Sequence, residues 1–264
     1  MIQSRPLQGR RIVLTRNPEG ASRLAHRLEE LGAETLCIPL IDVREDVDKD
    51  AAAEILKEFA TYEWLLFTSR NGVKHFFSTF LKIFGDIRSL GFVRIGVVGS
   101  GTVEALKAYH LKPDLIASKA TAADLVVTLA DEQTLDNTKV LVVTGNRNSD
   151  ELVKALWEER AIVDALKVYS THFCDLEGNA EAERFRKEGA DAVVFASASA
   201  VEAFGEQAKH LALEKGATVP GLCSFGPTTS SRMKKAGIPV AVEADSPGIE
   251  GMIEAIVGYF SDKQ

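Results

Sequence analysis

The chain is poor in cysteine, in excess positive charge and in long apolar runs, and each shortage removes a class of protein. Its three cysteines, Cys37, Cys174 and Cys223, stand far apart in or beside apolar runs and form no C-x-x-C pair. They read as reduced core residues rather than a disulfide framework or redox pair. The five histidines never fall into H-E-x-x-H or another ligand spacing, so no metal site is expected. Acidic residues outnumber basic ones, 38 to 31, for a formal net charge of -7. Non-specific nucleic-acid binding needs a concentrated basic face; nucleic acid is therefore not an expected partner, and an anionic ligand would have to be held locally. No apolar run approaches the roughly 20 residues of a membrane helix. The opening MIQSRPLQGRR has no apolar signal-peptide core, so a cytoplasmic chain without a membrane partner is expected. Nucleotide motifs are missing too: GSGTVE begins as G-x-G but has Glu104 where the third glycine belongs, and neither G-x-x-x-x-G-K-[ST] nor G-x-S-x-G occurs.

What is present is an ordinary globular composition, 45% hydrophobic and 26% charged over 264 residues, enough to build one large domain or two small ones around a real core. Short β-branched or apolar runs alternate with amphipathic helical stretches, the pattern of an α/β protein with mostly parallel sheets. The expected strands are RIVLT, WLLFT, IGVVG, DLIA, KVLVVT, DAVVFA, GLCSFG and PVAVEA. Helical patterns follow nearly all of them; SRLAHRLEELG sets Leu24, Leu28 and Leu31 on one face, with Gly32 as the stop.

WLLFTSRNGVKHFF is answered about 128 residues later by AVVFASASAVEAFG, a period far longer than any solenoid repeat and suited to two copies of a domain-sized module. In the same order, IVLTRN matches LVVTGN and VVGSGTVEAL matches SFGPTTSSRM. Two extended stretches, CIPLIDVRED and ALKVYSTHF, occupy equivalent places after the first βα unit of each copy. They read either as edge strands or as connectors between domains.

Four strand-to-helix turns are rich in Ser, Thr and Gly: residues 68–72, 99–102, 197–199 and 226–229. Ligands of parallel α/β sheets bind beyond the carboxyl ends of the strands, and a helix N-terminus offers free N–H groups and about half a positive charge. The repeated turns therefore suit carboxylate or phosphate. The competing reading is that these hydroxyls are N-caps, which any helix prefers, and one hydroxyl can serve both purposes.

Taken together, LTRN, LLFTSRNGV, VVGSGTVEAL, KVYST, VVFASASAV and FGPTTSSRMKKAGIPVAV resemble the uroporphyrinogen III synthase family over nearly the whole chain, with F-T-S, V-Y-x-T and G-P-T-T the more specific elements. The resemblance implies two flavodoxin-like α/β parallel-sheet domains joined by a two-stranded connector, one of residues 1–38 plus 173–264 and the other of 39–172, with the active site in the cleft between them. It implies that hydroxymethylbilane, a linear tetrapyrrole with eight carboxylates, loses water and closes into uroporphyrinogen III with its last pyrrole ring inverted, and that no cofactor takes part. Hydroxide elimination leaves an azafulvene; attack at the substituted carbon of the last ring gives a spiro intermediate, and refragmentation and reclosure follow. A monomer is expected, with the upstream bilane-forming deaminase a candidate partner.

Carried over position by position, Thr68, Ser69, Thr102, Ser197, Ser199, Thr228 and Thr229 match hydroxylated residues of the substrate site, Arg16 matches a T-R after the first strand, and Tyr169 matches a tyrosine that assists the chemistry. Each also has a plainer reading: caps for the hydroxyls, a solvated loop for Arg16, packing for Tyr169. Arg70 and Lys74 are placed to meet carboxylates, though solvation is the simpler role. Two departures from the family pattern concern loop shape: Ala198 stands where proline is frequent, and TGNRNSDEL lacks the usual arginine-glycine order. A two-domain protein that binds an anionic ligand without chemistry remains the alternative class.

Overall fold

A computed structural model describes residues 5–119, 121–147, 150–246 and 248–261. The chain divides into two units, Met1–Asp42 with His172–Gln264 and Val43–Thr171. In chain order the elements are β1 (Arg11–Leu14), α1 (Pro18–Glu30), β2 (Glu34–Cys37), β3 (Ile41–Glu45), α2 (Lys49–Lys57), β4 (Trp64–Phe67), α3 (Arg70–Phe84), β5 (Arg94–Val97), α4 (Ser100–Lys107), β6 (Leu115–Ile116), α5 (Ala122–Glu132), β7 (Lys139–Gly145), α6 (Glu151–Glu158), β8 (Ile162–Phe173), α7 (Ala180–Glu188), β9 (Ala192–Phe195), α8 (Ala198–Glu206), β10 (Gly221–Ser224), α9 (Pro227–Lys235), β11 (Val242–Glu243) and α10 (Ile249–Ser261).

The first unit holds a sheet of order β2-β1-β9-β10-β11, parallel at every pairing. Numbered within the unit this is 2-1-3-4-5, the flavodoxin-like order. The second unit repeats it as β8-β7-β4-β5-β6, with β3 added outside β8; the first four pairings are parallel. Each sheet thus joins the first βα unit of one sequence copy to the later strands of the other. The unit boundaries fall inside β3 and β8. The two extended stretches are therefore strands, one at a sheet edge and one beside it.

Strand composition explains the layering. All four residues of β4 are buried; Leu65 and Phe67 pack into one apolar cluster with Val73, Phe76, Phe77 and Phe80 of α3, while Trp64 and Leu66 enter another with Leu125 and Leu129 of α5. A parallel strand covered by helices on both faces needs such a continuous apolar run. The first unit is built likewise, Ile12 and Leu14 packing on one face and Val13 on the other. Cys223 is buried and Cys37 and Cys174 are half-buried. Among the described residues no helix is long and apolar enough to cross a membrane.

Candidate active site

In a 2-1-3-4-5 sheet the ligand crevice opens at the carboxyl ends of strands 1 and 3, where the strand order reverses. In the second unit these are β7 and β4, and Ser69, Gly145 and His75 surround Tyr169 there. Tyr169 reaches this place through an irregularity. Thr144 pairs with Lys167 but Gly145 pairs with Tyr169, so Val168 is an extra residue in β8. Strict alternation would put Tyr169 on the face opposite Leu166 and Val168. The bulge instead turns its ring into the same cluster as those two residues, against α3, as bulges beside functional sites do.

Three neighbours fix that ring. Gly145 lies against it: a Cβ there would stand 2.5 Å from Cε2 and 2.9 Å from Cε1, and closer still to Cζ, so only glycine admits the ring. Ser69 Oγ lies 3.1 Å from the Tyr169 hydroxyl and also accepts the Gly72 N–H at 3.0 Å as the N-cap of α3. His75, one and a half turns into α3, stacks on the phenol with ring centroids 5.9 Å apart and planes 24° from parallel. Beyond the bulge the ladder is continued by a side chain: the Thr171 N–H donates to Asn146 Oδ1 at 2.7 Å, and Asn146 Nδ2 donates to the Thr171 carbonyl at 3.1 Å. Residues 148 and 149 of the following loop lie outside the described ones, so the departure noted there is not placed.

The four hydroxylated turns separate into two kinds. Ser69 and Ser197 are both extended N-caps, of α3 and α8, each accepting an N–H three residues on. Ser199 Oγ lies 3.1 Å from Ser197 Oγ. For these two turns the capping role is real. By contrast, α4 and α9 begin at Gly99 and Gly226, at φ 77° and 154°, without a side-chain cap, which leaves first-turn N–H groups for a ligand or water. In the α9 turn, buried Ser224 braces the glycine by donating to its carbonyl at 2.8 Å and accepting its N–H at 3.2 Å. Thr102 and Thr229, in the first turns of α4 and α9, are 3% and 6% exposed; their side chains pack inward, while Thr228 is exposed.

Two arginines lie beside such turns. The exposed Arg70 places a guanidinium nitrogen 3.2 Å from where a Cβ on Gly101 would stand, against the open start of α4. Arg16 follows β1 and puts its guanidinium 3.3 Å from the equivalent point on Gly20, beside the Asn17-capped start of α1. At the open start of α4, guanidinium and free N–H groups suit the same anion. The role of Gly145 and His75 escapes residue-by-residue comparison; the only written signal was a glycine ending the apolar run KVLVVT.

His75 is 8% exposed. Burial, and then the charge of Lys74, hold its imidazole below the ordinary value of 6.5, with Glu45 opposing and Lys82 assisting. The folded chain therefore takes up this proton less readily than the unfolded chain. The contribution to stability is complete above about pH 6.5 and is lost as the pH falls through the lowered folded value. Denaturant midpoints taken at decreasing pH should fall more steeply for the unaltered chain than for His75→Phe; parallel curves would mean that His75 does not titrate as a buried group.

The sequence profile of the family described as uroporphyrinogen-III synthase HemD matches residues 22–254. A porphyrin biosynthesis protein HemD of Ruminiclostridium josui is 29% identical over 256 residues, covering 97% of this chain and 50% of that protein, so the chain spans half the length of that relative. A uroporphyrinogen-III synthase of Synechococcus elongatus is 26% identical over 263 residues and covered to 97% on both sides. Among solved structures, a mutant uroporphyrinogen III synthase of Thermus thermophilus superposes with a TM-score of 0.70 at 19% identity, covering 96% of this chain and 100% of that one. The Helicobacter pylori enzyme gives 0.59 at 20% identity, with 94% and 99% covered; both likenesses speak to the two-unit α/β fold. With the profile matched from α1 into α10, the chain belongs to the uroporphyrinogen-III synthase family, cyclising lyases of tetrapyrrole biosynthesis.

Proposed function

We propose that this chain closes hydroxymethylbilane into uroporphyrinogen III, with Tyr169 as the proton donor to the departing hydroxyl. The observation that carries the assignment of Tyr169 is its placement: a bulge and a glycine bring a phenol to the ligand end of the second sheet, with its hydroxyl 3.1 Å from Ser69 Oγ. A phenol carries its proton at neutral pH and donates it readily to an oxygen. As the substrate C–O bond breaks, the phenol proton goes to the leaving oxygen and water departs. The resulting azafulvenium cation is attacked by the last ring at its substituted carbon, the spiro intermediate reopens and recloses, and the proton released on rearomatisation returns to the phenolate. Net, one water is lost and the tyrosine is restored.

Little else is required of the protein, because the pyrroles supply the reacting electrons; holding the bilane where the crowded carbon is attacked is the larger task. The turns at Thr68 and Ser69, Thr102, Ser197 and Ser199, and Thr228 and Thr229, with Arg16, are proposed as carboxylate sites, acting through backbone N–H groups and local charge despite the net charge of -7. The enzyme is proposed to act as a cytoplasmic monomer. Freshly generated hydroxymethylbilane supplied to the protein, followed by oxidation and separation of type I and type III porphyrins, tests the reaction: type III is expected, and type I alone, as in uncatalysed closure, would refute it.

Gripping shared among several turns makes single hydroxyls dispensable. Thr228→Ala should lower turnover by no more than roughly tenfold, since the backbone N–H groups remain and several turns share the carboxylates, so only part of the about 1.5 to 3 kcal/mol of one hydrogen bond to a charged group is lost. Ser197→Ala should behave alike in turnover and lose about 1 kcal/mol of stability with its cap. A natively stable alanine variant of either with no measurable activity would contradict shared gripping.

A further inference from the structure

We propose that His75 is a positioning residue for Tyr169: its imidazole lies along the phenol and holds the hydroxyl at Ser69 while the substrate hydroxyl leaves. The proposal rests on Tyr169 as proton donor and adds a residue that the motifs do not contain.

The packing sets out the case. His75 and Tyr169 are 8% and 7% exposed, and their planes lie within 24°, so rotation of the phenol about its Cα–Cβ bond would drive it into the imidazole. The ring also lies against Gly145, whose missing Cβ leaves room but no grip. Ser69 fixes the hydroxyl end. The imidazole is thus the wall on the α3 side of a three-sided mount. Among the described residues no hydrogen bond ties it elsewhere, and Thr79, one turn further along α3, is likewise buried with a hydroxyl that has no partner among them.

The charged groups that act on His75 are Lys74 and Lys82 from α3 and Glu45 from β3, and Tyr169 stacks on it. Glu45 is engaged by Lys82 at 2.7 Å and by Ser78 at 3.1 Å, so it does little to stabilise an imidazolium. A proton added to His75 must be carried in a buried place between two lysines, and the charged ring gains by moving toward water. Acid is therefore expected to loosen the mount through His75.

The experiment measures kcat and KM for hydroxymethylbilane from about pH 5 to about pH 9 in the unaltered enzyme, His75→Phe, His75→Ala, and His75→Ala combined with Tyr169→Phe. Phenylalanine keeps the flat wall and cannot titrate. His75→Phe should retain kcat to within about twofold at neutral pH and lack the acid-side fall expected of the unaltered enzyme. His75→Ala should lower kcat about tenfold with KM little changed, and should cost less than about twofold once the Tyr169 hydroxyl is gone. An equal loss from His75→Ala in both backgrounds, a rise in KM with kcat preserved, or an acid-side fall that persists in His75→Phe would each overturn the proposal. His75→Phe answers the question through its pH profile even if the alanine variant does not fold. Failure of the underlying assignment is seen separately, as full kcat in Tyr169→Phe alone.

Discussion

Tyr169→Phe lowers kcat by up to about 100-fold while the product stays mainly type III. A committed general acid contributes about 100- to 10,000-fold; the lower end applies because the same bilane loses water and closes unaided. The substitution removes one oxygen and leaves the ring in place against Gly145 and His75, so the fold, the bulge and the binding of product should be unchanged. Ser69 keeps its capping bond from Gly72. A fall in kcat with unchanged KM is the mark of an interaction made only as the hydroxyl departs. The isomer ratio divides the roles: type III at a reduced rate assigns Tyr169 to water loss, whereas release of mostly type I would assign it to steering the last ring. Full kcat would leave Tyr169 as packing.

Strands covered on both faces declared themselves in the sequence. WLLF and AVVF are unbroken apolar runs because helices lie on both sides of them. The strand β2 escaped notice since ETLC buries only Leu36 fully, and an edge strand with one wet face has no such run. Strand order was legible only through family resemblance: every βα unit looks alike locally, and nothing within β1 says that its neighbour is β9 rather than β4. The turns were visible as a set, but their division was not, because a serine that caps and a serine that waits for a ligand are written the same way. Gly99 and Gly226 held the distinction, since a glycine before the helix leaves its first turn uncapped. The mount around Tyr169 was hidden for a different reason. Period-two alternation sets Tyr169 beside Lys167, away from Val168, and one inserted residue reverses that. No pattern of residue types announces a bulge in a strand as mixed as IVDALKVYSTHF.

Gly145→Ala should cost nearly as much kcat as removing the hydroxyl itself, although every group proposed to take part in the chemistry remains. The new Cβ would stand 2.5 Å from Cε2 and 2.9 Å from Cε1 of Tyr169, well inside van der Waals contact. Gly145 ends β7 and is held by its pairing to β8, so the strand cannot easily retreat, and the ring is the part able to yield. A shift of the ring carries the hydroxyl from Ser69. Misplacement by about 1 Å costs on the order of 100-fold in rate, so a loss of roughly 30- to 100-fold in kcat is expected. The fold should lose about 1 to 3 kcal/mol from overpacking, which leaves a stable domain if the chain has ordinary stability. Combination with Tyr169→Phe separates displacement from general damage. If alanine acts by moving the hydroxyl, adding it to the phenylalanine variant should lower kcat by no more than about threefold, because nothing is left to misplace. Loss by the full factor in that background, or native kcat in Gly145→Ala alone, would mean that Gly145 serves the strand and not the tyrosine.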